Sequence, residues 1–140
     1  MKEIMVAYWS GTGNTAAMAT ILGKGIQDGG ATAKVVSVED INADDLKDYP
    51  VFALGCPSMG NETLEETVME DFVTEVESFA SGKKIGLFGS YGWGDGEWMR
   101  NWEDSCKEAG ANLVCESVIC QEEPDDEATE ACKALGAALV

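Results

Sequence analysis

Short apolar runs and amphipathic stretches alternate along this chain from end to end. Apolar runs of strand length occupy residues 4–8, 35–38, 51–55, 85–89 and 113–120. The stretches between them carry helical period. Met18, Ile21, Leu22 and Gly25 share one face of residues 16–26. Val68, Met69, Phe72, Val73, Val76 and Phe79 form an i, i+3/i+4 stripe, as do Trp98, Met99, Trp102 and Cys106. Ala128, Ala131, Cys132, Leu135 and Leu139 make a last helix, and the 42–48 connection carries a weaker helical signal.

Strands alternating with helices predict an α/β fold, a three-layer sandwich with helices on both faces of a parallel sheet. Runs 51–54 and 85–88 are apolar at every position, as central parallel strands are. Five strands in a chain of 140 residues fit the order 2-1-3-4-5, with residues 1–140 as a single domain. In that order the winding reverses between the first and third strands, and a ligand crevice lies at their carboxyl ends.

Charge narrows the choice of partner. With 26 Asp and Glu against 9 Lys and Arg, the net charge is −17. That opposes nucleic-acid binding, which needs a basic footprint, and opposes anionic membrane surfaces. It suits steering toward basic surfaces of partner proteins. No apolar run is long enough to span a membrane. The start, 1–6, enters a strand without a signal-peptide pattern, so a cytoplasmic location is expected. Cys56, Cys106, Cys115, Cys120 and Cys132 show no C-x-x-C spacing, and histidine is absent. The reading is buried free thiols, no metal site, and no Ser-His or Cys-His nucleophile.

Three loops follow the strands that border the crevice. The first, Ser10, Gly11, Thr12, Gly13, Asn14 and Thr15, lies between an apolar run and a helix. Backbone N–H groups at a helix N-terminus point at an anion, and the helix dipole favours its charge. Hydroxyls and an amide add donors, with no Lys or Arg, which suits a phosphomonoester. Gly11, Gly13 and Ala16 also read as a weak dinucleotide fingerprint. The second loop holds Cys56, Pro57, Ser58, Met59, Gly60, Asn61 and Glu62. Met59 is a polarizable apolar group in a loop, and the Gly60–Asn61 peptide favours positive φ and two orientations. Glu62 stands ready to accept from a ring N–H. The third holds Ser90, Tyr91, Gly92, Trp93, Gly94, Asp95 and Gly96, where small residues display a flat indole surface. Trp98 and Trp102 are read as core, and the role of Trp9 is open. A planar heterocycle on a phosphate tail fits all three loops, and flavin mononucleotide (FMN) matches.

With these residues in place, the chain resembles the short-chain flavodoxins of anaerobic bacteria over essentially all its length. Residues 8–15 resemble that family's phosphate loop, and Met59-Gly60 with Glu62 its isoalloxazine loop. Residues 88–96 resemble the loop whose Trp stacks on the other ring face, and 121–125, including Glu123, the acidic turn near the pyrimidine edge. The resemblance implies a flavodoxin-like fold and a low-potential one-electron carrier with non-covalent FMN, a monomer serving redox partner proteins. It implies a neutral semiquinone, stabilised when the Gly60–Asn61 peptide turns its carbonyl to flavin N5–H, and an anionic hydroquinone. It also implies that Glu62 bonds flavin N3–H. Asn61 stands where relatives often carry Asp or another small residue. Each carboxylate about 10 Å from the ring costs the reduced anion roughly 0.4 kcal/mol, on the order of 20 mV.

Three other readings fit less of the chain. An FMN-dependent NAD(P)H or quinone reductase would need a pocket that Met59 and Trp93 would cover. A phosphoacceptor domain would need acids at the ends of strands 1 and 3, where Tyr8-Trp9-Ser10 and Gly55-Cys56-Pro57 stand. A nicotinamide-binding Rossmann domain would need a larger sheet.

Overall fold

Alternate residues of each central strand belong to opposite faces, and both faces are buried. Met5, Ala7, Phe52, Leu54, Ile85 and Leu87 enter one apolar cluster; Ile4, Val6, Val51, Ala53 and Phe88 enter another. The computed structural model describes residues 3–11, 13–59, 63–92 and 94–140. Its elements, in chain order, are β1 (Glu3–Tyr8), α1 (Asn14–Asp28), β2 (Thr32–Ser37), β3 (Val51–Gly55), α2 (Met69–Glu77), β4 (Lys84–Tyr91), α3 (Glu97–Glu108), β5 (Asn112–Leu113), β6 (Val118–Gln121) and α4 (Asp126–Leu139). Two 3₁₀ turns, Val38–Asp40 and Ala43–Leu46, fill the connection where the helical signal was weak.

The sheet is parallel, in the order β2-β1-β3-β4-β5. The expected fifth strand over 113–120 is broken. Asn112–Leu113 pairs with the start of β4, and β6 resumes beside its end, Phe88 opposite Val118 through Tyr91 opposite Gln121. Cys115 and Glu116 lie exposed in the break, so the edge leaves β4 where its sequence turns polar and rejoins at Val118.

α2 and α3 cover one face. Met69, Phe72, Val73 and Val76 pack there with Trp98, Met99, Trp102 and Cys106, as the stripes predict. α1 and α4 cover the other with Met18, Ala19, Leu22, Ile26, Ala128, Cys132, Leu135 and Leu139. These two helices approach so closely that a Cβ on Gly25 would lie 2.4 Å from the Lys133 carbonyl oxygen, and one on Gly136 2.3 Å from that of Leu22. Glycine there is a packing requirement. Four cysteines are buried free thiols, whereas Cys115 is exposed. The described residues contain no helix long and apolar enough to cross a membrane.

Candidate functional site

Only three polar side chains among the described residues are buried: Thr15, Glu65 and Ser90. All three belong to the segments that follow or end β1, β3 and β4, beside the winding reversal. Burying a polar group is costly unless it is hydrogen-bonded, so each of them marks a built structure.

Thr15 lies in the first turn of α1, and its Oγ1 is 3.0 Å from Ser90 Oγ and accepts from the Ser90 N–H at 3.4 Å. This pair ties the first loop to the end of β4. Ser10 Oγ accepts from the N–H groups of Gly13 (3.1 Å) and Ala16 (3.3 Å). The loop thus curls round its own donors. Gly13 closes it at φ +97°, a left-handed conformation that disfavours other residues, and no side chain of the capping position bonds to the helix. The first turn of α1 contains no acid, whereas α2 has Glu70 and Asp71, α3 has Glu97, and α4 has Asp126 and Glu127. In so acidic a chain, α1 alone of the four described helices has no acid in its first turn.

A cleft of about 210 Å³ opens beside it, lined by Gly11, Asn14, Pro57, Ser58, Met59, Ser90, Tyr91, Gly92 and Glu122. Of the residues expected at a ligand, Gly11, Asn14, Ser58, Met59, Ser90, Tyr91 and Gly92 therefore meet at one place. Ser10, Gly13 and Thr15 adjoin it in the first loop, and Gly94 follows in the third. Thr12, Gly60, Asn61, Glu62 and Trp93 lie outside the described residues. At the acidic turn Glu122 lines the cleft, held at φ 62° with its N–H bonded to the Tyr91 carbonyl at 2.9 Å. Glu123 is exposed and is not among the lining residues. Trp9, half-buried, packs against the core, and a Cβ on Gly11 would lie 3.1 Å from its ring.

The second loop is fixed at both ends. The Ser58 N–H bonds to the Ser90 carbonyl (2.9 Å), and Met59 and Thr63 exchange backbone hydrogen bonds of 2.9 Å. Cys56 lies beneath. Its Sγ accepts from the Glu65 N–H at 3.5 Å, its carbonyl takes the Trp98 indole N–H at 3.1 Å, and burial pushes its thiol up to about 12. It is a structural thiol, inert at neutral pH.

Glu65 carries no distinguishing signal in the sequence, where it stands in a run of acids that looks solvated. Its carboxylate accepts from the N–H groups of Thr67 (2.9 Å), Val68 (2.7 Å) and Met69 (3.0 Å) and from the Thr67 hydroxyl. Burial alone would raise its pKa. The Thr67 hydroxyl and the three N–H groups outweigh burial and hold it down at about 2.

An FMN suits this place. The acid-free helix start fits a phosphomonoester, and the cleft has apolar walls at Met59 and Tyr91 for a ring. Its described lining has no Lys or Arg, and no described group of Cys, Asp and Glu could hold a metal ion. A doubly wound α/β sheet with an anion-binding helix start and a cleft at its winding reversal defines a nucleotide-binding protein of the flavodoxin-like fold. The comparisons narrow that class. The profile of the family described as Flavodoxin matches residues 6–136. The chain is 46% identical over 131 residues to the flavodoxin of Clostridium beijerinckii, covering 94% of each, and 45% identical over 135 residues to that of Megasphaera elsdenii, covering 96% of each. The solution structure of two-electron reduced Megasphaera elsdenii flavodoxin superposes with a TM-score of 0.89, at 46% identity and 97% coverage of both chains. The chain belongs to the flavodoxin family. It is an FMN-binding carrier that transfers electrons to redox partner proteins, and not an enzyme.

Proposed function

We propose that residues 1–140 form one domain that carries electrons singly at low potential, with FMN held non-covalently in the cleft between the loops after β1, β3 and β4. One observation carries the placement: the start of α1 is free of acids while those of α2, α3 and α4 are not. Ser10, Gly11, Thr12, Gly13, Asn14 and Thr15 would take the phosphate through N–H, hydroxyl and amide donors. Ser58, Met59, Gly60, Asn61 and Glu62 would cover one ring face, with the Glu62 carboxylate accepting a ring N–H. Ser90, Tyr91, Gly92, Trp93 and Gly94 would cover the other, and Glu123 would stand near the pyrimidine edge. FMN supplies a ring that can take up one electron at a time.

The chain's own charge sets the direction of the potential. A net charge of −17 opposes adding a negative charge to the cleft and makes the reduced carrier a stronger donor. The same field steers basic surfaces of redox partner proteins to a monomer working in the cytoplasm, and salt weakens the attraction. Stepwise dithionite titration of the purified protein tests the reading. A flavin spectrum that passes through a distinct one-electron species supports it. Direct two-electron bleaching would overturn one-electron carriage, and failure of the apoprotein to bind added FMN would overturn the site.

A further inference from the structure

We propose that Glu65 is a positioning residue for the loop that covers the flavin, locking its stem, residues 56–59 and 63–64, to the start of α2 and so setting the two one-electron potentials of the bound ring. The inference rests on the placement of Met59 to Glu62 against the ring. Its own ground is the bonding around Glu65.

Every polar group of this residue is engaged. Its N–H reaches back to Cys56 Sγ (3.5 Å), at the root of the loop. Its carbonyl accepts from the Glu70 N–H (2.8 Å), and its carboxylate gathers three N–H groups and one hydroxyl from residues 67–69. One buried side chain thus satisfies the backbone donors at the start of α2, while its own backbone closes the loop on Cys56. Cys56 is fixed in turn by the Trp98 indole on α3, so loop, α2 and α3 meet at this point. Two residues upstream, Thr63 pairs with Met59, and the Thr63 hydroxyl bonds to the Met59 carbonyl at 3.2 Å. The loop therefore stands on a two-rung stem whose foot is Glu65. A loop that covers a ring needs such a fixed base, because a loose stem would let its contacts with the ring vary and blur the energy difference between redox states.

Exposed acids near a flavin act through charge alone. Glu65 differs by acting through geometry, and the two are separable. Glu65→Gln keeps the size and one acceptor oxygen but presents an NH2 group to donors it must accept from. Thr67→Val removes the hydroxyl donor and leaves all charges unchanged. Holoproteins of both variants should be compared with the parent by amide hydrogen exchange and by the two one-electron midpoint potentials of bound FMN.

In Glu65→Gln, the Met59 and Thr63 amides should exchange at least tenfold faster, while the Ala17 amide, bonded to the Gly13 carbonyl in α1, should not change. The equilibrium between the two one-electron steps should move about tenfold, about 59 mV in the gap between potentials. Thr67→Val should shift both readouts the same way and by less. A fall in melting temperature with unchanged Met59 and Thr63 exchange and unchanged potentials would make Glu65 a helix cap only and overturn the proposal. Should Glu65→Gln fail to fold, Thr67→Val decides by the same two readouts. A parent protein that took up no FMN would sink the underlying placement, and the exchange comparison would still decide whether Glu65 holds the stem.

Discussion

The starts of α1 and α2 face the same end of the sheet and are built in opposite ways. The buried Glu65 carboxylate takes the N–H groups of Thr67 and Val68, which lead into α2, and of Met69, its first residue. α1 begins at a left-handed glycine, takes only the neutral Ser10 hydroxyl on the Ala16 N–H of its first turn and carries no acid there. A helix N-terminus that supplies its own anion is part of the scaffold. One that keeps anions away is prepared to receive one from outside. The contrast explains how one acidic chain both anchors a loop and leaves a phosphate site beside it.

The largest effect is expected at the filled terminus. Glu65→Ala would leave three N–H donors without their partner and should cost about 2–4 kcal/mol, read by chemical unfolding of the holoprotein. Acid should act on the same contact. The carboxyl sits near 2, below its ordinary 4.5, so its stabilisation is complete above about 4.5 and is lost as pH falls from there toward 2. A stability profile over that window should slope less in Glu65→Gln than in the parent.

The acid-free start of α1 should respond with the opposite sign. Asn14→Asp adds one negative charge with almost no change of shape. It should weaken FMN binding at least tenfold, and more than Asn14→Ala, which only removes the amide. The apoprotein should gain about 0.3–1 kcal/mol from the new charge at the helix start. Equal losses in the two Asn14 variants would break the comparison, since charge exclusion would then play no part. Thr15→Val removes one member of the buried hydroxyl pair and should cost about 1 kcal/mol in stability, along with some FMN affinity. The smallest effect is expected at the exposed Glu123, where Glu123→Gln should raise the second one-electron potential by on the order of 20 mV at low salt, and less at high salt. No shift would mean that this acid does not sense the ring.

The alternation of apolar runs and helical stripes was enough to determine the layers and the helical faces, because burial on both sides of a parallel sheet leaves a plain pattern in the sequence, and the number of strands and the chain length matched the order 2-1-3-4-5. Ser10 to Thr15 was legible as an anion site for a similar reason: the chemistry is local to one turn. Tertiary structure decided the rest. The break at 114–117 depends on where the edge meets β4, which no periodicity encodes. Ser90 reads as a loop residue until Thr15, 75 positions away, is seen bonded to it. Glu65 stands among acids that look alike in sequence. Only its burial beneath the loop, with the Cys56 thiol behind it and three N–H groups around it, turns one carboxylate into a structural anchor. A side chain's partners are set by which segments the fold brings together, and in this chain those contacts cross long stretches of sequence.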